Sequence, residues 1–317
     1  MKNEFYYPSS DKKTSIHAIE WVPDGEVAGI LQIAHGMVEY IDRYDCFAKY
    51  LCERGFIVVG NDYLGHGKSV TDVRELGYIG KGDGNGLLIQ DIRQLYKLTR
   101  DKYKDIPYFM LGHSMGSFIM RQYIGTFGDE LSGAIIMGTG YNPKTVLMFG
   151  EAFTKIISMV KGGHYRSAFV NNLGIGSYNK QFKNTQTAYD WVTTDVEERT
   201  KYSKDPFCTF MFTVNGYNSL FKGMYRMSLK KGYEGTPKDL SVLFTSGSED
   251  AVGEFEKGVN KVYSIYEKMG IKDLTKIFYE GERHEILNGV SRSQVFEDIY
   301  NWLHERSNTK WRNKMMN

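Results

Sequence analysis

Residues 112–116 read Gly112-His113-Ser114-Met115-Gly116, a Gly-x-Ser-x-Gly stretch between two segments of different character. The apolar run Tyr108–Leu111 before it is typical of a buried strand, and Ser117–Tyr123 after it is typical of a helix. A sharp strand–turn–helix connection presents the serine hydroxyl at the edge of a sheet, and the glycines leave room for neighbouring backbone. The stretch therefore predicts that Ser114 is a nucleophile at the end of a buried strand.

Other short apolar runs have the near-continuous apolarity of strands that are buried on both faces. They are Val27–Ala34, Phe56–Asn61, Gly133–Met137, Leu240–Thr245 and Leu274–Phe278. Amphipathic stretches typical of helices lie between and after them, at Asp45–Arg54, Gly86–Lys102, Gly253–Met269 and Ser291–Glu305. This alternation predicts an α/β fold, with a mostly parallel central sheet flanked by helices.

Residues 141–235 interrupt the alternation and are rich in methionine and aromatic side chains. We predict that they form a helical cap inserted over the end of the sheet, and that residues 1–140 and 236–317 form the core. Such side chains suit an apolar acyl chain, although they could equally form the cap's own core. The candidate substrate-binding residues are Met148, Phe149, Phe210 and Phe212 of the cap, together with Gly36 of the core.

A nucleophilic serine needs a general base, which in this strand–turn–helix context follows the serine in the chain. The histidines after Ser114 are His164, His284 and His304. His284 comes just after the last apolar run, where a loop at the sheet end would present it. His164 lies in the insertion and His304 within a polar helical pattern, so His284 is the predicted base.

The base in turn needs a carboxylate that orients its ring. The loop after Leu240–Thr245 offers two adjacent acids, Glu249 and Asp250. Adjacent loop residues rarely point the same way, so we expect one of them to orient His284. Asp250 is favoured because it is the later residue and precedes a turn into the next helix; Glu249 is the alternative.

Two backbone N–H groups are predicted to form an oxyanion hole. One belongs to Met115, at the start of the helix after Ser114, and the other to Met37, in the loop after Val27–Ala34. Gly36 lets that loop approach the substrate closely. His35 precedes Ser114 in the chain, so we expect it to hydrogen-bond within the loop rather than to act as a base.

The chain resembles the monoacylglycerol lipase and lysophospholipase branch of the α/β-hydrolases, in particular bacterial members of the serine aminopeptidase type, from about Trp21 to Leu303. The segments that carry this resemblance are 35–40 with Arg43-Tyr44, 112–117, 246–253 and 283–288, and, in the cap, Asp190-Trp191 and 205–208. It implies an α/β-hydrolase fold, a Ser114–Asp250–His284 triad and a monoacylglycerol or lysophospholipid-type ester as substrate. Leu64 and Ala251 stand where the family usually has Arg and Pro, and neither position is a catalytic group of the triad.

Two other functions remain open. The same scaffold supports an aminopeptidase, which would need an acidic site in the cap to bind a free amine. The cap holds 13 Lys/Arg against 7 Asp/Glu, which speaks against such a site. A non-enzymatic receptor on the hydrolase scaffold is the second alternative, and the complete set of triad residues argues against it.

The composition of the chain limits the classes of partner and cofactor that we expect it to bind. A formal net charge of +2 gives no reason to expect nucleic acid. The three cysteines have no Cys-x-x-Cys spacing, so we expect neither a disulfide framework nor a zinc site, and the chemistry needs no cofactor. No apolar run approaches the roughly 18 residues of a membrane span, and no secretory signal is apparent. We therefore expect a cytoplasmic enzyme that contacts membranes peripherally through the basic cap. The sequence does not indicate its oligomeric state.

Overall fold

The computed structural model describes residues 1–315, with side chains as far as Ser307. Within these residues one eight-stranded sheet has the strand order β1-β2-β4-β3-β5-β6-β7-β8. Strands β3 to β8 run parallel to one another, whereas β2 runs antiparallel to both of its neighbours, β1 and β4. The strands are β1 (Lys2–Pro8), β2 (Ser15–Trp21), β3 (Gly29–Ala34), β4 (Phe56–Asn61), β5 (Tyr108–His113), β6 (Gly133–Met137), β7 (Ser241–Gly247) and β8 (Leu274–Tyr279). The prediction of an α/β-hydrolase fold with a mostly parallel sheet is confirmed.

Helices cover both faces of this sheet. In chain order, the α-helices of the described residues are α1 (Asp45–Cys52), α2 (Gly84–Lys102), α3 (Met115–Phe127), α4 (Lys144–Lys161), α5 (Ala168–Leu173), α6 (Ile175–Tyr178), α7 (Val196–Lys204), α8 (Val214–Ser228), α9 (Lys257–Lys268) and α10 (Arg292–Met315). Along β3, Ile30 packs on the face covered by α2, α3 and α9, and Leu31 packs on the face covered by α1 and α10. This alternation explains the apolar runs of β3 to β7, because these strands bury both of their faces. No helix of the described residues is long and apolar enough to cross a membrane.

The sequence analysis did not predict the antiparallel hairpin of β1 and β2. Strand β1 lies at the edge of the sheet, and most of its side chains are partly or fully exposed. Its residues Lys2, Asn3 and Glu4 therefore lack the apolar run by which the buried strands were identified.

The segment predicted to be a cap, residues 141–235, contains α4 to α8 and lies between β6 and β7 in the chain. Helix α8 packs against α4 and also against α2 and α3, so it joins the segment to the core. The described residues of this segment form no strand, as expected for a helical insertion. The division of the chain at 141 and 235 stays a prediction, and residues 316–317 lie outside the described part.

Candidate active site

Ser114 occupies the sharp turn between β5 and α3. Its φ of 51° and ψ of −117° form a conformation that non-glycine residues rarely adopt. Its N–H donates to the Met137 carbonyl at 3.0 Å, and its own carbonyl accepts from the Ser117 hydroxyl at 2.6 Å. These bonds hold the strained turn, and Ser114 lines a cavity at the end of the sheet.

The glycines on either side of the turn allow close backbone packing. A β-carbon on Gly112 would lie 2.7 Å from the Met120 β-carbon, and one on Gly116 would lie 2.6 Å from the His35 carbonyl oxygen. Both distances are shorter than real contacts, so glycine lets α3 sit against β3 and β5 and keeps the turn sharp.

His284 and Asp250 form a buried pair. Nδ1 of His284 lies 2.9 and 3.0 Å from the two carboxylate oxygens of Asp250, and Asp250 is fully buried. The Ser246 hydroxyl and the Val252 N–H also donate to Asp250, each at 2.9 Å. Burial raises the pKa of Asp250, but the attraction of His284 and these hydrogen bonds outweigh it and hold that pKa below its usual range. An ionised Asp250 can only accept, so Nδ1 of His284 carries the proton and Nε2 is left as the acceptor.

The topology explains why residues so distant in the chain meet. Ser114, Asp250 and His284 each follow a strand, β5, β7 and β8 respectively. These strands are parallel, so their carboxyl ends lie at one edge of the sheet. Ser114 and His284 line the same cavity there. Glu249 points elsewhere and lies 3.6 Å from the Arg283 guanidinium.

The two predicted oxyanion donors line this cavity as well. Met115 is the first residue of α3, so its N–H has no acceptor within the helix. Met37 lies in the loop after β3, and both residues line the cavity. A β-carbon on Gly36 would lie 3.0 Å from the Ser114 β-carbon, which explains glycine at that position. The arrangement can place two N–H groups around an oxygen next to Ser114.

The sequence analysis did not predict a buried ionic network that adjoins the site. Glu39 accepts from the Gly36 N–H and from His113 Nδ1, the latter at 2.8 Å. His113 Nε2 lies 3.3 Å from the His284 carbonyl oxygen. The network thus links the Met37 loop, the Ser114 turn and the His284 loop. Its only signal in the sequence is an acid three residues after Gly36, which any loop could contain.

Two further charges complete this network. Arg43 donates to both carboxylate oxygens of Glu285, at 2.5 and 2.7 Å, and lies 3.5 Å from Glu39.

Burial favours the neutral form of Glu39 and of His113, but the attraction between the two charged side chains outweighs the effect of burial. The pKa of Glu39 is therefore held well below its usual range, and the pKa of His113 is raised.

The cavity at Ser114, here called the Ser114 cavity, has a volume of about 660 Å³. Of the predicted substrate-binding residues in the cap, Phe149 lines it. The structure corrects the other three. Met148 is half exposed on α4, whereas Phe212 is buried against His66 and Phe210, and Phe210 lines a neighbouring cavity. These three side chains do not line the Ser114 cavity.

Eight of the described residues that line the cavity belong to two helices of the cap, α4 and α8. The contributing residues are Val146, Phe149, Gly150 and Phe153 of α4, and Tyr217, Leu220, Phe221 and Met224 of α8. They recur every three or four positions, the spacing of one helical face. This spacing is visible in the sequence, but it does not distinguish a helix face that lines a cavity from one that packs in a core.

The remaining histidines of interest have structural surroundings. His35 is fully buried; its Nδ1 contacts the Gly36 carbonyl at 2.7 Å and its Nε2 accepts from the Tyr63 N–H at 3.1 Å, as expected for a loop residue. His164 is exposed and pairs with Glu75. Among the described residues, no group of three or more His, Cys, Asp or Glu side chains could hold a metal ion.

The sequence matches one protein-family model over most of its length. The model describes serine aminopeptidases, S33, and matches residues 25–290. Among curated proteins, the chain is 24% identical to a monoacylglycerol lipase of Mycolicibacterium smegmatis, over 89% of this chain and 90% of that protein. It is 23% identical to the human monoglyceride lipase, over 91% of this chain and 86% of that protein.

Solved structures show the same fold. A thermostable carboxyl esterase from Bacillus coagulans, solved in complex with glycerol, is 27% identical and superposes with a TM-score of 0.90 over 96% of this chain and 99% of that one. A monoglyceride lipase from Saccharomyces cerevisiae is 18% identical, with a TM-score of 0.73 over 96% of this chain and 97% of that one. The latter likeness concerns the fold alone.

Proposed function

The chain belongs to the serine aminopeptidase S33 family, and from this premise we propose that it is a lipase that hydrolyses the ester bond of monoacylglycerols, with Ser114 as nucleophile. The observation that carries the proposal is the Ser114 turn and the His284–Asp250 pair at one apolar cavity. The curated relatives reported above are a monoacylglycerol lipase and a monoglyceride lipase, which favours this substrate over other esters.

The proposed reaction proceeds in two steps of acyl transfer. His284 Nε2 takes the Ser114 proton as the hydroxyl oxygen attacks the ester carbonyl, and Asp250 stabilises the imidazolium that forms. The N–H groups of Met37 and Met115 donate to the oxyanion, and each such donor typically lowers a barrier by about 3 kcal/mol. The ester C–O bond breaks, and the alcohol leaves with the proton from His284. Water then attacks the acyl-enzyme, which releases the fatty acid and restores the serine.

Two carboxylates at the cavity bear on the aminopeptidase alternative. Within the described part of the chain, the acidic residues that line the Ser114 cavity are Glu39 and Glu285. Glu39 pairs with His113, and Glu285 forms a bidentate pair with Arg43. Neither charge is left to neutralise the free amine of a peptide. An apolar acyl chain needs no such partner, so the lining favours an ester over a peptide substrate.

We also propose that the cap contacts a lipid surface at the cavity entrance. Several side chains that line the cavity are at the same time strongly exposed, among them Phe149, Phe169 and Leu173, at 68%, 61% and 64%. Exposed apolar side chains next to a site for an apolar ligand suit an enzyme that takes its substrate from an interface. The surplus of Lys and Arg in the cap is compatible with anionic headgroups.

Hydrolysis assays on wild type and Ser114→Ala test the proposed function. The substrates are p-nitrophenyl esters of graded chain length, monoacylglycerols and an aminoacyl p-nitroanilide. We expect wild type to cleave both ester series but not the anilide, and Ser114→Ala to cleave none of them. Ser203→Ala, which alters a half-buried serine of α7, is the matched control and should behave as wild type. Cleavage of the anilide alone would support an aminopeptidase, and inertness on every substrate would support a receptor.

A further inference from the structure

A short cap segment, residues 190–195, lies along the loop that carries His284; we call this segment the strap. The Glu285 N–H donates to the Val192 carbonyl at 2.8 Å, and the Arg283 guanidinium donates to the Asp190 carbonyl. Both chain neighbours of His284 are therefore hydrogen-bonded to the backbone of the cap.

Two more contacts extend this attachment beyond the histidine. The Thr193 hydroxyl donates to the Asn288 carbonyl at 3.1 Å, and Arg292 at the start of α10 pairs with Asp195 at 3.0 Å. Contacts on both sides of His284 fix its backbone relative to the strap.

The strap is itself held in place within the cap. The Asp190 carboxylate accepts from the N–H groups of Gln186 and Thr187 at 2.8 and 2.9 Å, and Arg199 lies 3.5 Å from it. Val192 is fully buried. A residue on the strap can therefore serve as a fixed support.

Trp191 presents its indole ring to the imidazole of His284. The ring centroids are 5.2 Å apart with an angle of 35° between the planes, and Trp191 is 6% exposed. Tyr178 packs against the same indole, also at 5.2 Å. The hydrogen bond to Asp250 restrains one edge of the imidazole, and the indole restrains its face.

We propose that Trp191 is a positioning residue for His284, so that the cap takes part in the chemistry as well as covering the cavity. This inference rests on the proposed function, in which His284 is the general base. The indole limits tilting of the imidazole, excludes water from it, and offers its π-face to the imidazolium that forms when Ser114 attacks.

Steady-state kinetics of Trp191→Ala, Trp191→Leu and Trp191→Phe on short and long esters test this inference. Trp191 also lines the Ser114 cavity, so a loss of acyl contacts must be separated from a loss of positioning. We expect kcat of Trp191→Ala and Trp191→Leu to fall about tenfold or more, by the same factor on p-nitrophenyl acetate and dodecanoate. Trp191→Phe should restore most of kcat, and KM for the acetate should change little.

A loss confined to the dodecanoate, or an unchanged kcat in Trp191→Leu, would overturn the inference and leave Trp191 as a lining residue only. Arg226→Ala is the matched control, because it removes a cap–core ion pair with Asp83 at 2.7 Å that does not touch His284. It should keep wild-type kcat; if it lost kcat as Trp191→Ala does, general loosening of the cap would explain both and the inference would fail. Wild type that is inert on both esters would instead refute the proposed function.

Discussion

Asp250 and Glu249 are adjacent in the chain but have different surroundings. Asp250 is buried and accepts hydrogen bonds from His284, Ser246 and Val252, whereas Glu249 is half exposed beside Arg283. Only Asp250 can fix the tautomer and orientation of the base. The chain order suggested either acid, and the difference arises from how the loop after β7 turns.

Replacing Asp250 with Asn should therefore disable the base without removing it. Asn can donate to Nδ1 and so favours the wrong tautomer, and we expect kcat on p-nitrophenyl esters to fall by a factor of about 10⁴. Glu249→Gln should retain wild-type kcat. Should Glu249→Gln lose activity and Asp250→Asn keep it, the assignment of the acid would be reversed.

Glu39→Gln should destabilise the fold in a pH-dependent way. Removing one partner of a buried ion pair costs about 3 kcal/mol, because the remaining charge is left without compensation. The folded pKa of Glu39 is lowered, so its contribution is present above its unfolded pKa of about 4.3 and is lost as the pH falls through the folded value. The folded pKa of His113 is raised, so its contribution is present below its unfolded pKa of about 6.5 and is lost as the pH rises through the folded value.

Urea unfolding of wild type and Glu39→Gln at several pH values measures this effect. The difference in free energy of unfolding should be largest near pH 5 to 6, roughly between the two unfolded values, and should shrink as the pH falls below about 4. A difference that stays constant from pH 6 to pH 3 would mean that the Glu39 charge does not stabilise the fold.

Helix α4 illustrates how one element can have two apolar faces. One face lines the Ser114 cavity, while Ile156, Met159 and Val160 are exposed at 60%, 77% and 75% and do not line it. These three residues are spaced by three and four positions, so they share a face. Such a face on a helix at the cavity entrance suits insertion into a lipid surface.

The double substitution Ile156→Asn and Val160→Asn should weaken binding to vesicles about tenfold or more, because two aliphatic side chains no longer leave water. Co-sedimentation with vesicles measures binding, and p-nitrophenyl acetate hydrolysis should be unchanged. Leu98→Asn, which alters an exposed apolar residue of α2 outside the cap, is the matched control and should bind as wild type. Equal binding of all three proteins would refute the proposed contact between α4 and lipid.

At the scale of the molecule, the core and the outer part of the cap differ in burial. The strands β5 and β6 are buried throughout, whereas in α5 and α6 only Val170 is buried. Local opening needs less free energy where few apolar contacts are lost. We expect amide hydrogen exchange in residues 168–178 to be faster than in β5 and β6, by mass spectrometry of peptic fragments. Slower exchange in 168–178 would mean that the outer cap is as firmly packed as the core.

The sequence by itself determined the parallel strands and the residues that follow them. Phe56–Asn61 and Gly133–Met137 were predicted with the bounds that the structure shows, because strands buried on both faces need continuous apolar runs. The Gly-x-Ser-x-Gly spacing likewise has a steric explanation, because a larger residue at Gly116 would collide with the backbone at His35. Information of this kind is local and can be obtained from a short stretch of chain.

Only the tertiary structure decided what surrounds the site. The partnership of Glu39 with His113, the contact of Trp191 with His284 and the choice of cavity-lining residues in α4 and α8 join positions far apart in the chain. Phe212 and Phe149 are the same residue type in the same cap, yet one is buried away from the cavity and the other lines it. Which face of a helix meets the core or a cavity depends on the packing of whole elements, and no local pattern specifies it.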